Sequence, residues 1–342
     1  MNSAESTTTP SSTQNPFLDL RFSFHGDGWT FFGILMTNLL LTVVTLGFYF
    51  PWARAAIRQY LFQETEFNGS RFTFHGTGRE MFRGFLLAIL LYGAVFGGYN
   101  ALNYLQATTD PFGATYALAA LGVLFGGNLL LLPLALHGTA RYRAARTSWR
   151  GIFFHYDGNL GELYKLVLVE GLITLFTFGI YFPWASVKVR KYIFSHFRFG
   201  QTIRFEFKGT GSEYFGLLFG GILLTQFTFG LYWFWFRRNL FNYQVENTWI
   251  HQEHARARFR STLKVSDVFA TTVINFFQLI FTLGLGAAWV QLRNMSLMFD
   301  NIYIRGGLLD TERILQAELD SAASATGDSV GDQLDFDFGF DF

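Results

Sequence analysis

TLGFYFPW at Thr45–Trp52 returns as TFGIYFPW at Thr177–Trp184, as TFGLYWFW at Thr228–Trp235 and, decayed, as TLGLGAAW at Thr282–Trp289. The repeated positions are Thr45, Gly47, Pro51 and Trp52; Thr177, Gly179, Pro183 and Trp184; Thr228, Gly230 and Trp235; and Thr282, Gly284 and Trp289. A further Thr stands three residues earlier in three copies (Thr42, Thr174, Thr225), and a Tyr follows the Trp by eight (Tyr60, Tyr192, Tyr243). Pro133 precedes Tyr142 by nine residues, as Pro51 precedes Tyr60, which marks a disguised copy. A chain that repeats one unit builds its fold by stacking that unit.

Ahead of each copy stands FSFHGDG (Phe22–Gly28), FTFHGTG (Phe72–Gly78), IFFHYDG (Ile152–Gly158) or FEFKGTG (Phe205–Gly211). Alternating Phe running into Gly-x-Gly reads as a short strand and a turn at a helix entry. Aligned this way, His25, His75 and His155 fall at matched places, with Lys208 in the fourth copy. Three such histidines would suit a metal or proton site only if the units surround an axis. No acidic ligand stands at metal spacing, and a structural role in the turn is the simpler reading. His251 and His254 form a further i, i+3 pair.

Apolar residues make up 50% of the 342-residue chain and charged residues 15%, well below the roughly 25% charged of a soluble domain. Six runs are long enough to span a bilayer: 29–51, 81–105, 112–137, 160–183, 213–236 and 267–290. On this reading Pro and Trp end each membrane helix at the lipid–water boundary, and basic residues follow. The expected fold is an all-α membrane protein of about six membrane-embedded helices in repeated units, with short β segments between them. The expected domains are a polar tail over 1–18, a membrane domain over 19–306 and an acidic tail over 307–342.

Charge complicates this picture. The segments 52–83, 139–159, 185–212 and 237–266 carry 21 Lys and Arg, and six full crossings leave six of them on the wrong side even in the better orientation. Either successive units are inverted or short units enter and return without crossing; full crossings are taken here as the expectation. The loop 106–112, free of positive charge, is then periplasmic, and 52–83 and 139–159 are cytoplasmic. The first apolar helix would serve as the targeting signal, since the polar start has no basic n-region.

The TLGxYxPW block, followed by Arg and Tyr and preceded by FxFHGxG, resembles the YjgN-like family of uncharacterised bacterial inner-membrane proteins. The likeness covers roughly 20–305. It implies a multi-pass inner-membrane location and no established activity, so no catalytic residue can be carried over.

Glu170 is the outstanding polar residue inside an apolar run. It aligns with Asn38, Gly221 and Asn275 of the other copies, and Lys165 lies five residues earlier. An ionisable group in a membrane helix faces a cavity or a partner, so Glu170, Asn38, Asn275 and Lys165 form a candidate polar pathway. The Thr pairs, Asn100, Asn128 and Gln226 could line it or could simply bond backbone within their helices. Cys is absent, which excludes disulfides and thiolate metal sites. No phosphate-cradling glycine loop or nucleophile elbow occurs, so neither an enzyme nor a cofactor is expected. Basic loops beside membrane helices point to anionic headgroups and not to nucleic acid; a homo-oligomer or protein partner stays open. Residues 310–342 hold nine acidic side chains and one basic, and end QLDFDFGFDF, an acidic tail. Three functions remain: a transporter or channel for a small solute or ion, which requires a polar cavity reaching Glu170; a non-transporting scaffold or envelope assembly factor, which requires those residues packed and paired; and a membrane enzyme, for which no recognisable constellation stands in the sequence.

Overall fold

The computed structural model describes residues 20–109, 114–252 and 255–306. Five units follow one another, each a strand, a helical hairpin and a strand. The first is β1 (Leu20–Phe24), α1 (Gly28–Val44), α2 (Phe50–Gln63) and β2 (Thr65–Phe67). The second is β3 (Ser70–Phe74), α3 (Gly78–Thr109), α4 (Thr115–Arg146) and β4 (Thr147–Trp149). The third is β5 (Ile152–Tyr156), α5 (Leu160–Phe176), α6 (Phe182–Ser195) and β6 (Phe197–Phe199). The fourth is β7 (Ile203–Phe207), α7 (Gly211–Phe227), α8 (Trp233–Glu246) and β8 (Thr248–Gln252). The fifth is β9 (Ala255–Ser261), α9 (Val265–Phe281), α10 (Ala287–Phe299) and β10 (Ile302–Gly306).

The ten strands pair antiparallel with their sequence neighbours, and β1 also pairs with β10, so they close into one barrel. This overturns the all-α expectation. The Phe-x-Phe segments do lie in strands, but they form a continuous closed sheet together with the three-residue strands TEF, TSW and FRF, which read as basic loops in the sequence. Closure leaves no strand edge unpaired. Alternation then sorts the faces: Phe22, Phe72 and Phe205 point inward, while Arg21, Arg71 and Arg204 beside them are exposed.

The six expected spans are also corrected. The runs 29–51, 160–183, 213–236 and 267–290 each contain one 17-residue helix and then a reversal near their C-terminal end, and among the described residues only α3 and α4 are long and apolar enough to cross a membrane. The repeated Thr-x-Gly is that reversal. Gly47 N–H donates to the Thr42 carbonyl at 2.7 Å and Leu46 N–H to Val43 at 3.1 Å, the two bonds of a Schellman cap. The same six-to-one bond joins Gly179 to Thr174, Gly230 to Thr225 and Gly284 to Leu279. Leu46 (φ 50°) and Gly47 (φ 93°) take the left-handed conformation, as do their counterparts in the other three short units. Thr45 Oγ1 donates to the Leu41 carbonyl (2.7 Å) and accepts from Tyr49 N–H (3.0 Å), tying the helix end to the turn. Pro51 and Pro183 stand in the first turn of the returning helix, where a missing N–H costs nothing. The proline therefore begins a helix, and does not end one at the membrane surface.

Each hairpin starts and finishes at the barrel, so the strands and turns within all four basic segments lie at that end, while Arg54, Lys188, Arg237 and Arg238 stand on the returning helices. The hairpins also slant. Trp52 lies near the tip of the first hairpin, yet a Cβ added to Gly78, at the base of the next, would come within 2.3 Å of its indole and 2.7 Å of its Cα. Trp184 meets Gly211 in the same way, and Trp289 meets Gly28, which closes the ring from the fifth unit to the first. A 17-residue helix is about 25 Å long, and a slanted one reaches a shorter distance from the barrel. The reversals themselves are bare: Leu46, Phe178, Phe229 and Leu283 are 90%, 96%, 98% and 92% exposed. In the second unit the helices run on for 32 residues each, and Pro133 falls inside α4 where the other units turn.

Candidate functional site

One phenylalanine from each unit (Phe22, Phe72, Phe154, Phe205, Phe259) lines the inside of the barrel. Ring centroids of neighbours lie 6.3 Å apart for Phe22–Phe72, 6.5 Å for Phe72–Phe154, 6.3 Å for Phe154–Phe205 and 6.2 Å for Phe22–Phe259. The planes are tilted by only 4° to 31° from one another, so the five rings lie like overlapping petals about the barrel axis. Phe67, Trp149, Phe199, Ile203, Ile250 and Ile304 complete the lining. Ten strands enclose more room than side chains fill, and a cavity of about 240 Å³ remains, walled by apolar residues throughout. An apolar occupant fits such walls, whereas water gains no polar partners there.

Two residues further along the strands, on the same face, Phe74 and Phe207 mark the end of the barrel nearest the helices. A cation stands over each: Arg58 Cζ is 6.0 Å from the Phe74 ring and Arg190 Cζ is 5.3 Å from the Phe207 ring. Arg58 follows Pro51 by seven residues and Arg190 follows Pro183 by seven, so one repeat position delivers both. Arg190 is half-buried and, among the described residues, has neither a carboxylate nor a hydrogen-bond partner. Tyr156 takes the corresponding place in the third unit, between these two, and burial pushes its phenol up.

The expected polar pathway is dispersed into pairs. Glu170 is buried, and its Oε1 accepts from Lys188 Nζ at 2.7 Å; Lys165 is exposed and is not its partner. Asn275 donates to Asn294 at 3.0 Å and accepts from Arg293 at 2.6 Å, and Arg293 also reaches Gln278 at 2.9 Å. Asn38 is buried at the equivalent place in α1. Thr42, Thr174 and Thr225 bond the carbonyl one turn back, as do Asn100 and Asn128. Lys188, Arg293, Arg58 and Arg190 escaped the sequence reading because they sit on returning helices that looked like loops.

The matching of the histidines fails by two residues. His25, His75, Asp157 and Lys208 each donate a backbone N–H to the last residue before the next strand (Glu64, Arg146, His196 and Asn247), so Asp157 is the third copy's equivalent. His155 belongs with Ser23, Thr73 and Glu206 on the barrel's outside. Among the described residues no three metal-capable side chains cluster; His254 and the tail 307–342 lie outside them. On that outer wall Glu206 accepts from His251 at 2.6 Å and pairs with Lys208 at 3.4 Å. Burial raises its carboxyl, but His251 and Lys208 outweigh burial and hold it below the ordinary range.

A barrel ringed by hairpins with bare apolar tips, one of them long enough to cross a bilayer, defines a membrane protein. Residues 19–203 and 236–333 match the model of a family described as bacterial protein of unknown function (DUF898). The chain belongs to that family. It is similar to inner membrane protein YjgN of Escherichia coli O157:H7, 35% identical over 136 residues, which are 40% of this chain and 31% of that protein. It is also similar to inner membrane protein YjgN of Salmonella typhimurium, 26% identical over 174 residues, 46% of this chain and 40% of that protein. The matched stretch thus spans about a third of the length of these relatives. No solved structure matches the chain.

Proposed function

We propose that the chain is an inner-membrane protein that binds an apolar chain inside its barrel and handles lipid-like molecules at the cytoplasmic face. The observation that carries this reading is the phenylalanine-lined cavity of about 240 Å³. The name of the similar YjgN proteins supports the location. In this reading α3 and α4 cross the bilayer, the four short hairpins dip into the inner leaflet, and the barrel stands in the cytoplasm, where positive charge belongs. The outward arginines of the barrel then meet anionic headgroups, each contributing about 1 kcal/mol. A path for ions or polar solutes has less support, because Glu170 and Asn275 are occupied by Lys188 and Arg293. The same pairing favours a scaffold as the second reading.

Two measurements test the proposal in the full chain. An introduced Thr115→Cys should react with an impermeant maleimide from the periplasm, while Asn68→Cys should react only after the cytoplasm is opened. A photoreactive diazirine analogue of decanol should label the strand peptides around Phe154 and Phe205 saturably. Periplasmic labelling at position 68, or labelling confined to the hairpins, would refute it.

A further inference from the structure

We infer that the barrel's ligand is a single-chain anionic amphiphile, whose carboxylate or phosphate head is held by Arg190 with Arg58 at the helix end of the lumen. This rests on the lumen as an apolar binding site, proposed above, and adds the chemistry of the head. A guanidinium drawn partly out of water is normally matched by an anion or by aromatic faces. Arg190 has the aromatic face of Phe207 at 5.3 Å and, among the described residues, no anion. Its place is specific. Phe207 shares a strand face with Phe205, two residues away and in the lumen wall, so the charge stands roughly 7 Å of strand beyond the phenylalanine ring. Arg58, which also reaches Met81 Sδ at 4.0 Å, stands over Phe74 on a different strand, so the lumen's helix end has cations at two places and its wall has none.

Ligand size follows from the cavity. An engineered cavity of roughly 150 Å³ takes a benzene, so about 240 Å³ takes a chain of roughly eight to ten carbons, or the terminal part of a longer one. Apolar burial supplies affinity for any such chain, at about 0.8 kcal/mol per methylene. Discrimination comes from the head: an anion gains charge-assisted, two-pronged hydrogen bonds from arginine, and an alcohol does not. Fatty-acid carboxylates and lysophospholipid phosphates share this chemistry.

The test uses the full chain in zwitterionic nanodiscs and a diazirine analogue of decanol bound in the lumen. Competition by decanoate, by decyl phosphate and by decanol is read from the labelled strand peptides. Decanoate and decyl phosphate should displace the probe at least ten times better than decanol, and whichever is stronger identifies the preferred head. In Arg190→Gln the preference should fall to within about twofold, with decanol unchanged; Arg190→Lys should restore part of it. Equal competition by decanol and both anions, or a preference untouched in both Arg190→Gln and Arg58→Gln, overturns the head-group assignment while leaving the lumen reading standing. Absence of lumen labelling in any form of the protein overturns the lumen reading itself. Labelling that appears only after removal of 307–342 would make the chain's own Phe-rich tail the occupant and overturn the amphiphile.

Discussion

Gly221→Ala should destabilise this protein, although it replaces a glycine inside a helix. Alanine is worth about 1 kcal/mol over glycine in a helix interior. A Cβ at 221, however, would come within 2.0, 2.3 and 2.8 Å of Phe236 ring atoms, and that ring is 6% exposed with little room to retreat. Overpacking of this kind costs about 1–3 kcal/mol, so the net loss is about 1 kcal/mol, or a fall of roughly 2–4 °C in melting temperature. Phe236→Ala alone leaves a void and costs about 3–5 kcal/mol. In the double variant the new methyl occupies part of that void and the clash is gone. The two changes should therefore be non-additive by about 1–2 kcal/mol in the stabilising direction. Melting of detergent-purified protein, followed by size-exclusion survival of parent, single and double variants, gives the cycle. A Gly221→Ala protein as stable as the parent, or an additive cycle, would refute the packing argument.

Lys188→Met should cost about 2–4 kcal/mol, because it strips a carboxylate that is only 7% exposed of its partner, while Glu170→Gln should cost less than about 1 kcal/mol and should rescue Lys188→Met in the double variant; equal losses from the two single changes would contradict this. Phe178→Asp with Phe229→Asp places charges at two bare tips, at about 2.5–3.5 kcal/mol each if the tips reach hydrocarbon, so melting in nanodiscs should fall well below the parent while melting in detergent should not; an equal effect in both media would mean that the tips lie outside lipid. Glu206 is held below its ordinary value near 4.5, so its contribution is complete above that pH and is lost as the pH falls through the lowered value; Glu206→Gln should flatten the loss of barrel stability on the acid side of that ordinary value, and an unchanged acid limb would count against the His251–Lys208 clamp.

Much of this architecture was written in the sequence in a form that apolar run length obscured. A hydropathy window over 29–51 counts Leu46, Phe48 and Phe50 as membrane residues, though they form or flank a reversal, because this reversal is itself apolar. The cue lay in the spacing: a Gly two residues after a fixed Thr stands where a Schellman cap's six-to-one N–H falls and where the chain here stays left-handed for a second residue, and Pro four residues beyond starts a helix. The unbalanced charge was a second cue, since hairpins that return bring the strand ends of every basic segment to the barrel. The strands opening the first four units were legible from their alternating Phe and the glycines that follow; β9, ARARFRS with no Gly-x-Gly after it, was not. The closing strands were not: β2, β4 and β6 are three residues each, and they gain their identity from neighbours across the barrel. Closure is a property of all five units together and has no local sign. The slip in the third copy, where HYDG imitates HGDG two residues early, could be seen only from the hydrogen bond that Asp157, not His155, donates to His196.

The position eleven residues past each outgoing helix's cap bears on pathway and packing alike. It holds Asn38, Ala88, Glu170, Gly221 and Asn275, and all five are buried. A route for an ion through the ring would ask similar chemistry of each unit, or at least of adjacent ones. Here the residue instead follows its neighbour on the returning helix. Glu170 faces Lys188, Asn275 faces Arg293 and Asn294, and Gly221 faces Phe236, which stands where the first three units carry Ala53, Ala135 and Ala185. A large residue on one helix is met by none on the other, and a cation is met by a carboxylate or an amide. Compensation within each hairpin is what joining two helices demands. The unit-to-unit uniformity appears elsewhere, in five phenylalanines spaced around the barrel, and it is there that the fold has kept one chemistry five times.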